Sequence, residues 1–243
     1  MMKTTKKINF NRAGSKNILA FLALGILALN LPSNVSAAEK THISKAKIFE
    51  KTVSDTTKMV SGVPLKPEDV SPLLVGEKIP TLILSNDKGE SVDLNKVVAE
   101  KPTILVFYRG GWCPFCSKQL AGLQEIQKDL TDMGYQVIAV STDSPENLTK
   151  TMTKEKLSYT LLSDADLSAS KKFGIAYKSP ANYDSFLPAA SGGRNVDKLL
   201  PVPSVFILNK VGEIAFEYIN PNFKQRISSS LMKAAAESLR NQN

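Results

Sequence analysis

The chain has two cysteines, Cys113 and Cys116, in the segment Tyr108-Arg109-Gly110-Gly111-Trp112-Cys113-Pro114-Phe115-Cys116. At this spacing the two sulfurs lie one helical turn apart, so a mixed disulfide formed by one thiol can be resolved by the other. Closing so short a loop constrains the unfolded chain by less than the ~3 kcal/mol expected for a loop of about 15 residues, so the pair suits exchange better than stapling. The thiolate is the reactive form, and a free cysteine with a pKa of about 8.5 is only a few per cent thiolate at neutral pH. A cysteine at the start of a helix meets partial positive charge and unpaired N–H groups, both of which favour the thiolate. Cys113 gains most from that placement. It is expected to be the more exposed thiol and the attacking one, with Cys116 resolving, although the opposite assignment stays open. Pro114 fits the first helical turn, where no N–H is needed. Arg109 would add positive charge, and Trp112, the single tryptophan, suits either a docking surface beside Cys113 or plain packing at a strand end.

With one histidine, His42, and two cysteines, neither a histidine-rich zinc site nor a Ser-His-Asp triad can be assembled. No metal and no cofactor is expected. Asp164 and Asp166 read as caps of the helix that follows them. Lys171-Lys172 reads as a solvated face. Tyr177, Tyr183 and Phe186 read as aromatics packed beneath a long loop, with a lid over the site as the other reading.

The elements that must position the pair alternate in βαβ fashion. Thr103 to Tyr108 is a continuous apolar run, as a strand buried on both faces requires. Leu120, Leu123, Ile126 and Leu130 recur at helical spacing over 114–132. Strands follow over 135–141, 159–162, 205–208 and 213–216, with helices over 145–156, 167–173 and about 223–240. Leu82 to Leu84 and Ser91 to Leu94 form a hairpin about the turn Asn86-Asp87-Lys88-Gly89. Residues 176–200, with Pro180, Pro188, Gly192 and Gly193, read as a long loop. Residues 41–60 have an imperfect helical period, and the prolines and glycine of 61–76 make a connector.

The first residues form a leader. Lys3, Lys6, Lys7, Arg12 and Lys16 precede the apolar run 18–29, which is short for a membrane span. Small residues at Val35-Ser36-Ala37 or Ser36-Ala37-Ala38 fit a cleavage site. The expected organisation is a cleaved signal peptide over 1–37, an N-terminal helix and connector over 38–76, and a redox domain over 77–243. Export to a bacterial periplasm or the medium is expected, with no membrane attachment after cleavage. Five of the 31 basic residues fall in the leader, so the remainder exceeds the 23 acids by about three, which gives no case for nucleic-acid binding.

The motif residues resemble those of the peroxiredoxin-like branch of the thioredoxin superfamily, which groups alkyl hydroperoxide reductase with thiol-specific antioxidant proteins. The resemblance covers about residues 73–240. It rests on Phe107 to Cys116 followed by Gln119-Leu120, on Leu161-Leu162-Ser163-Asp164, and on Leu200-Pro201-Val202-Pro203. It implies a thioredoxin-like α/β fold with a central mixed sheet and makes the strand-helix unit over 145–173 an insertion of the peroxiredoxin type; the order of elements itself places helices on both faces of that sheet, and residues 41–60 add an N-terminal helical extension. It also implies a thiol-dependent oxidoreductase acting on hydroperoxides or disulfides and recharged by a thiol electron donor. Pro203 would be the cis-proline opposite the cysteines; from the residues alone it suits the first residue of a strand or a tight turn. Two departures stand out. Counted from Cys116, peroxiredoxins carry threonine three residues earlier and proline seven earlier, where this chain has Cys113 and Arg109. Thioredoxins carry a buried acid six residues before their first cysteine, where this chain has Phe107. A competing reading is a non-catalytic binding protein that keeps the fold and uses the disulfide only for structure.

Overall fold

Six consecutive buried residues, Thr103 to Tyr108, form strand β3. Such a strand needs apolar cover on both faces, and its alternating side chains supply two cores. Leu105 and Phe107 join one core with Ile138, Val140, Leu162 and Phe206. Ile104, Val106 and Tyr108 join the other with Val137, Ala139, Leu161 and Val205. The structure is a computed structural model that describes residues 62–240. The leader, the cleavage site, His42 and the helix read over 41–60 lie outside the described residues.

Around β3 the chain builds a seven-stranded mixed sheet. Its strands are β1 (Ile83–Asn86), β2 (Ser91–Asp93), β3, β4 (Gln136–Ser141), β5 (Thr160–Ser163), β8 (Ser204–Leu208) and β9 (Ile214–Ile219), in the order β2-β1-β5-β4-β3-β8-β9. The strands β3, β4 and β5 are parallel to one another, and β1 and β8 run antiparallel to their neighbours. Helices α1 (Leu94–Glu100), α4 (Ser168–Lys172) and α5 (Leu187–Ala190) contribute to the first core. Helices α2 (Pro114–Asp132), α3 (Pro145–Glu155) and α6 (Ser229–Leu239) contribute to the second. Phe107, Phe173 and Phe206 meet in the first core, with ring centroids 4.7 to 6.1 Å apart. This is the expected mixed sheet with helices on both faces.

Local chemistry sets the ends of these elements. The Asn86 side chain accepts the N–H groups of Lys88 and Glu90 and so closes the β1–β2 turn. Asp93 caps α1 by accepting from Asn95 and Lys96, and Pro114 and Pro145 open α2 and α3. Asp164 accepts the N–H groups of Ala169 and Ser170, and Asp166 that of Ser168, as expected of caps. Lys171 is not merely solvated: its ammonium lies 3.0 Å from the Asp197 carboxylate.

Two expectations need correction. Residues 176–200 are not a structureless loop, because β6 (Ala176–Lys178) pairs antiparallel with β7 (Leu199–Pro201) as a separate ribbon, with α5 between them. The Asn195 side chain donates to Leu199 O and accepts from Leu199 N, which ties the returning chain to β7. The last helix starts at Ser229 and not near 223. Ser228 caps it by accepting from Leu231 N, whereas Asn222 closes a turn with Lys224 and Gln225. Residues 220–228 therefore run as an irregular segment, and that segment reaches the cysteines.

Candidate active site

The cysteines stand where β3 hands over to α2. Cys113 occupies the N-cap of α2 and Pro114 its first turn; the Cys113 carbonyl accepts the N–H groups of Cys116 and Ser117 at 2.9 and 3.0 Å. The turn before it is held down by the end of β4. Asp143 accepts the Gly111 N–H at 2.7 Å, and Thr142 donates its hydroxyl to the Arg109 carbonyl at 3.0 Å. The two glycines are there because nothing larger fits. A Cβ on Gly110, whose φ is +152°, would run into Trp112 Nε1 and lie 2.8 Å from Asp143 Oδ1. One on Gly111 would run into Thr151 Oγ1.

Both cysteines are free thiols, and both are buried, Cys113 at 1% exposure and Cys116 at 0%. Cys113 is thus not the exposed thiol that its place at a helix start suggested: the Arg109 guanidinium lies against its sulfur, and Tyr183 and Phe223 from two other segments pack on that guanidinium. What separates the two thiols is charge environment. The Cys113 thiol is lowered to about 6, first by the hydrogen bond from the Cys116 thiol, then by the Cys116 N–H and the Arg109 and Arg226 guanidiniums, against the opposing effect of burial. Burial pushes the Cys116 thiol well up, and the neighbouring Cys113 adds to this. The first thiol is therefore mostly ionised at neutral pH and the second is a proton donor to it.

Arg109, itself only 2% exposed, places Nη1 4.0 Å from Cys113 Sγ. Its guanidinium sits among three rings, 4.3 Å from the Phe223 centroid, 4.7 Å from Tyr183 and 5.0 Å from Trp112. Such contacts range from about 0.5 kcal/mol at exposed sites to about 2 kcal/mol when desolvated. Among the described residues no carboxylate forms an ion pair with Arg109. Arg226 Nη2 lies 3.6 Å from Cys116 Sγ. Burial also raises the Asp143 carboxyl to about 6, with the Gly111 N–H and the Ser141 hydroxyl holding it back.

The structure thus gathers Cys113, Cys116, Trp112, Pro114 and Arg109 at one point. Pro203 is buried just before β8, whose Ser204 pairs with Phe107, so it lies at the cysteine end of the sheet. Tyr177 is a core residue, whereas Tyr183 and Phe186 pack on Trp112 at 5.5 and 5.1 Å. Sequence reasoning missed Asp143, Phe223 and Arg226. The two aromatic and basic residues lie over a hundred positions beyond the motif with no spacing pattern to betray them, and Asp143 was readable only as the end of a strand.

The profile of the AhpC/TSA family matches residues 75–217. The chain belongs to the AhpC/TSA family. Peroxiredoxin Bcp of Escherichia coli K12 is 34% identical over 106 residues, covering 44% of this chain and 67% of that protein. The chloroplastic peroxiredoxin Q of Sedum lineare is 28% identical over 145 residues, 60% of this chain and 68% of its own. The crystal structure of peroxidoxin BcpB of Mycobacterium tuberculosis superposes with a TM-score of 0.56 at 19% identity, over 70% of this chain and 97% of that one, a likeness of fold. As an AhpC/TSA member the protein is a thiol-dependent oxidoreductase of peroxiredoxin type.

Proposed function

We propose that Cys113 and Cys116 cycle between dithiol and disulfide, with Cys113 attacking and Cys116 resolving, and that the protein reduces hydroperoxides slowly and exchanges with disulfides at least as well. The observation that carries this is Arg109. A buried guanidinium with no carboxylate partner needs an anion nearby, and Cys113 is the group its Nη1 faces. In the peroxide cycle the Cys113 thiolate attacks one oxygen, the O–O bond breaks, and the departing oxygen takes a proton as water or alcohol. Cys116 then attacks the sulfenic sulfur, forming the disulfide and releasing water. With a disulfide substrate, Cys113 attacks sulfur and Cys116 displaces the second substrate thiol. A fast peroxidase needs fixed donors for the leaving oxygen. Here Cys113 stands where peroxiredoxins carry threonine and Arg109 where they carry proline, so Arg109 and backbone N–H groups replace that pocket only in part. For either substrate the aromatic side chains around Arg109 have to shift. The source of electrons is a thiol donor. The chain is exported after removal of residues 1–37, with 38–76 as an N-terminal extension and 77–243 as the redox domain.

The test compares second-order rate constants for oxidation of the dithiol by hydrogen peroxide and by a small disulfide in one buffer, alongside trapping with Cys116→Ser. The expected result is a peroxide constant above that of free cysteine but no greater than the disulfide constant, with mixed disulfides held on Cys113. A peroxide constant thousands of times the larger would make this a fast peroxidase, and trapping only by Cys113→Ser would reverse the two roles.

A further inference from the structure

Between α2 and the segment 224–232 lies a groove of about 640 Å³, within the range of small-ligand sites. Its walls carry Lys118, Lys224 and Arg226 against one acid, Glu125. Among the described residues neither Lys118 nor Lys224 is in an ion pair. Phe115, Ile227 and Met232 supply an apolar wall. Two buried polar atoms of lining residues, Gln119 Oε1 and Arg226 Nε, have no hydrogen-bond partner among the described residues. Arg226 belongs to both places: it lines the groove and sets Nη2 3.6 Å from the sulfur of Cys116. Cys113, by contrast, lies beneath the Arg109 cluster.

We propose that this groove is the entry site of the reducing thiol, a low-molecular-weight thiol bearing carboxylates, which meets the oxidised pair at Cys116 and not at Cys113. The proposal rests on the dithiol–disulfide cycle above. Carboxylates bind Lys118 and Lys224 and draw the Arg226 guanidinium off the sulfur it covers. The incoming thiolate attacks Cys116 Sγ, the Cys113–Cys116 bond breaks, and its electron pair stays on Cys113 as a thiolate beside Arg109. A second thiolate then attacks the bound thiol's sulfur, releasing its disulfide and leaving Cys116 to take a proton. Two thiols lose two electrons and the protein disulfide gains them. The chemistry favours this direction, because exchange is faster when the departing thiol is the more acidic, and that is Cys113, lowered to about 6.

The experiment oxidises the full chain to its disulfide and measures reduction by glutathione, which is anionic, and by β-mercaptoethanol, which is neutral, at equal thiolate concentrations. Lys118→Gln/Lys224→Gln is expected to slow glutathione about fivefold relative to β-mercaptoethanol, an effect that high salt reproduces in the wild type. Rapid alkylation and peptide mapping of the wild-type reaction should find glutathione on Cys116 and the alkyl group on Cys113. An unchanged ratio of the two rates, or glutathione on Cys113, overturns the proposal. Failure of the dithiol to form a disulfide with any oxidant would instead be seen before reductant is added, and would overturn the cycle itself together with the proposal.

Discussion

Cys113 and Cys116 are chemically identical residues made different by where their hydrogen bonds and charges come from. The largest influence on Cys113 is the thiol of its partner, with Arg109 and Arg226 further down. Removing the partner's donor should therefore raise the Cys113 pKa more than removing the guanidinium. Cys116→Ala is expected to bring it back toward the ordinary range of about 8.5, Arg109→Gln to move it less, and Cys116→Ser to keep much of the depression because a hydroxyl still donates. Ultraviolet thiolate absorbance or alkylation rate against pH reads this order directly. If Arg109→Gln causes the larger rise, the hydrogen bond has been overrated and the ion pair is the main device. The cysteine motif was legible from residue types and spacing alone. Burial of Cys113 was not, because it depends on Tyr183 and Phe223, which reach Arg109 from segments far along the chain.

At the level of elements, the β3–α2 turn shows how tightly a site can be fitted to its scaffold. Gly110 and Gly111 pass under the end of β4 and the flank of α3, where Asp143 and Thr151 leave no room for a Cβ. Overpacking of this kind costs about 1–3 kcal/mol. Gly111→Ala is expected to lower stability by that amount and to slow thiol oxidation, since the turn also sets Cys113. Among the described residues Gly134 has nothing within 4 Å of an added Cβ, so Gly134→Ala is expected to carry only the strain of its φ of +93°. Pairing Gly111→Ala with Thr151→Ala should recover part of the loss, measured as a coupling energy in denaturant unfolding. Additive losses would show that the contact with Thr151 is not the cause. Strands and helices with a clean period, β3 and α2 above all, were legible to within a residue. The β6–β7 ribbon was not, because its short strands hide among prolines and glycines and pair only across a long excursion.

For the whole molecule, the same buried groups make stability depend on pH and redox state together. Asp143 and Asp164 are both raised to about 6 by burial, so the folded protein holds protons that the unfolded chain releases. Stability is expected to fall as pH rises through about 4 to 6, by on the order of 3 kcal/mol for each group. Cys113 acts in the other direction. Its folded pKa of about 6 lies below the ordinary value, so the folded dithiol sheds its proton first and gains stability between about pH 6 and 9, by up to about 4 kcal/mol. Denaturant unfolding under reducing conditions should show a minimum near pH 6 followed by a rise. Cys113→Ser should keep the fall and lose the rise, and parallel curves for the two proteins would refute the thiolate account.

The sequence by itself determined the chemistry of this protein and most of its architecture, since two thiols at helical spacing after a buried strand, and alternating apolar periods of two and 3.6, are local properties of a chain. The tertiary structure alone decided how the thiols differ. Arg226 reaches Cys116 from 110 positions away, Asp143 pins Gly111 from 32, and Tyr183 and Phe223 close on Arg109 from two distant segments. Long-range burial and electrostatics of this kind depend on distance through space, which residue spacing does not encode.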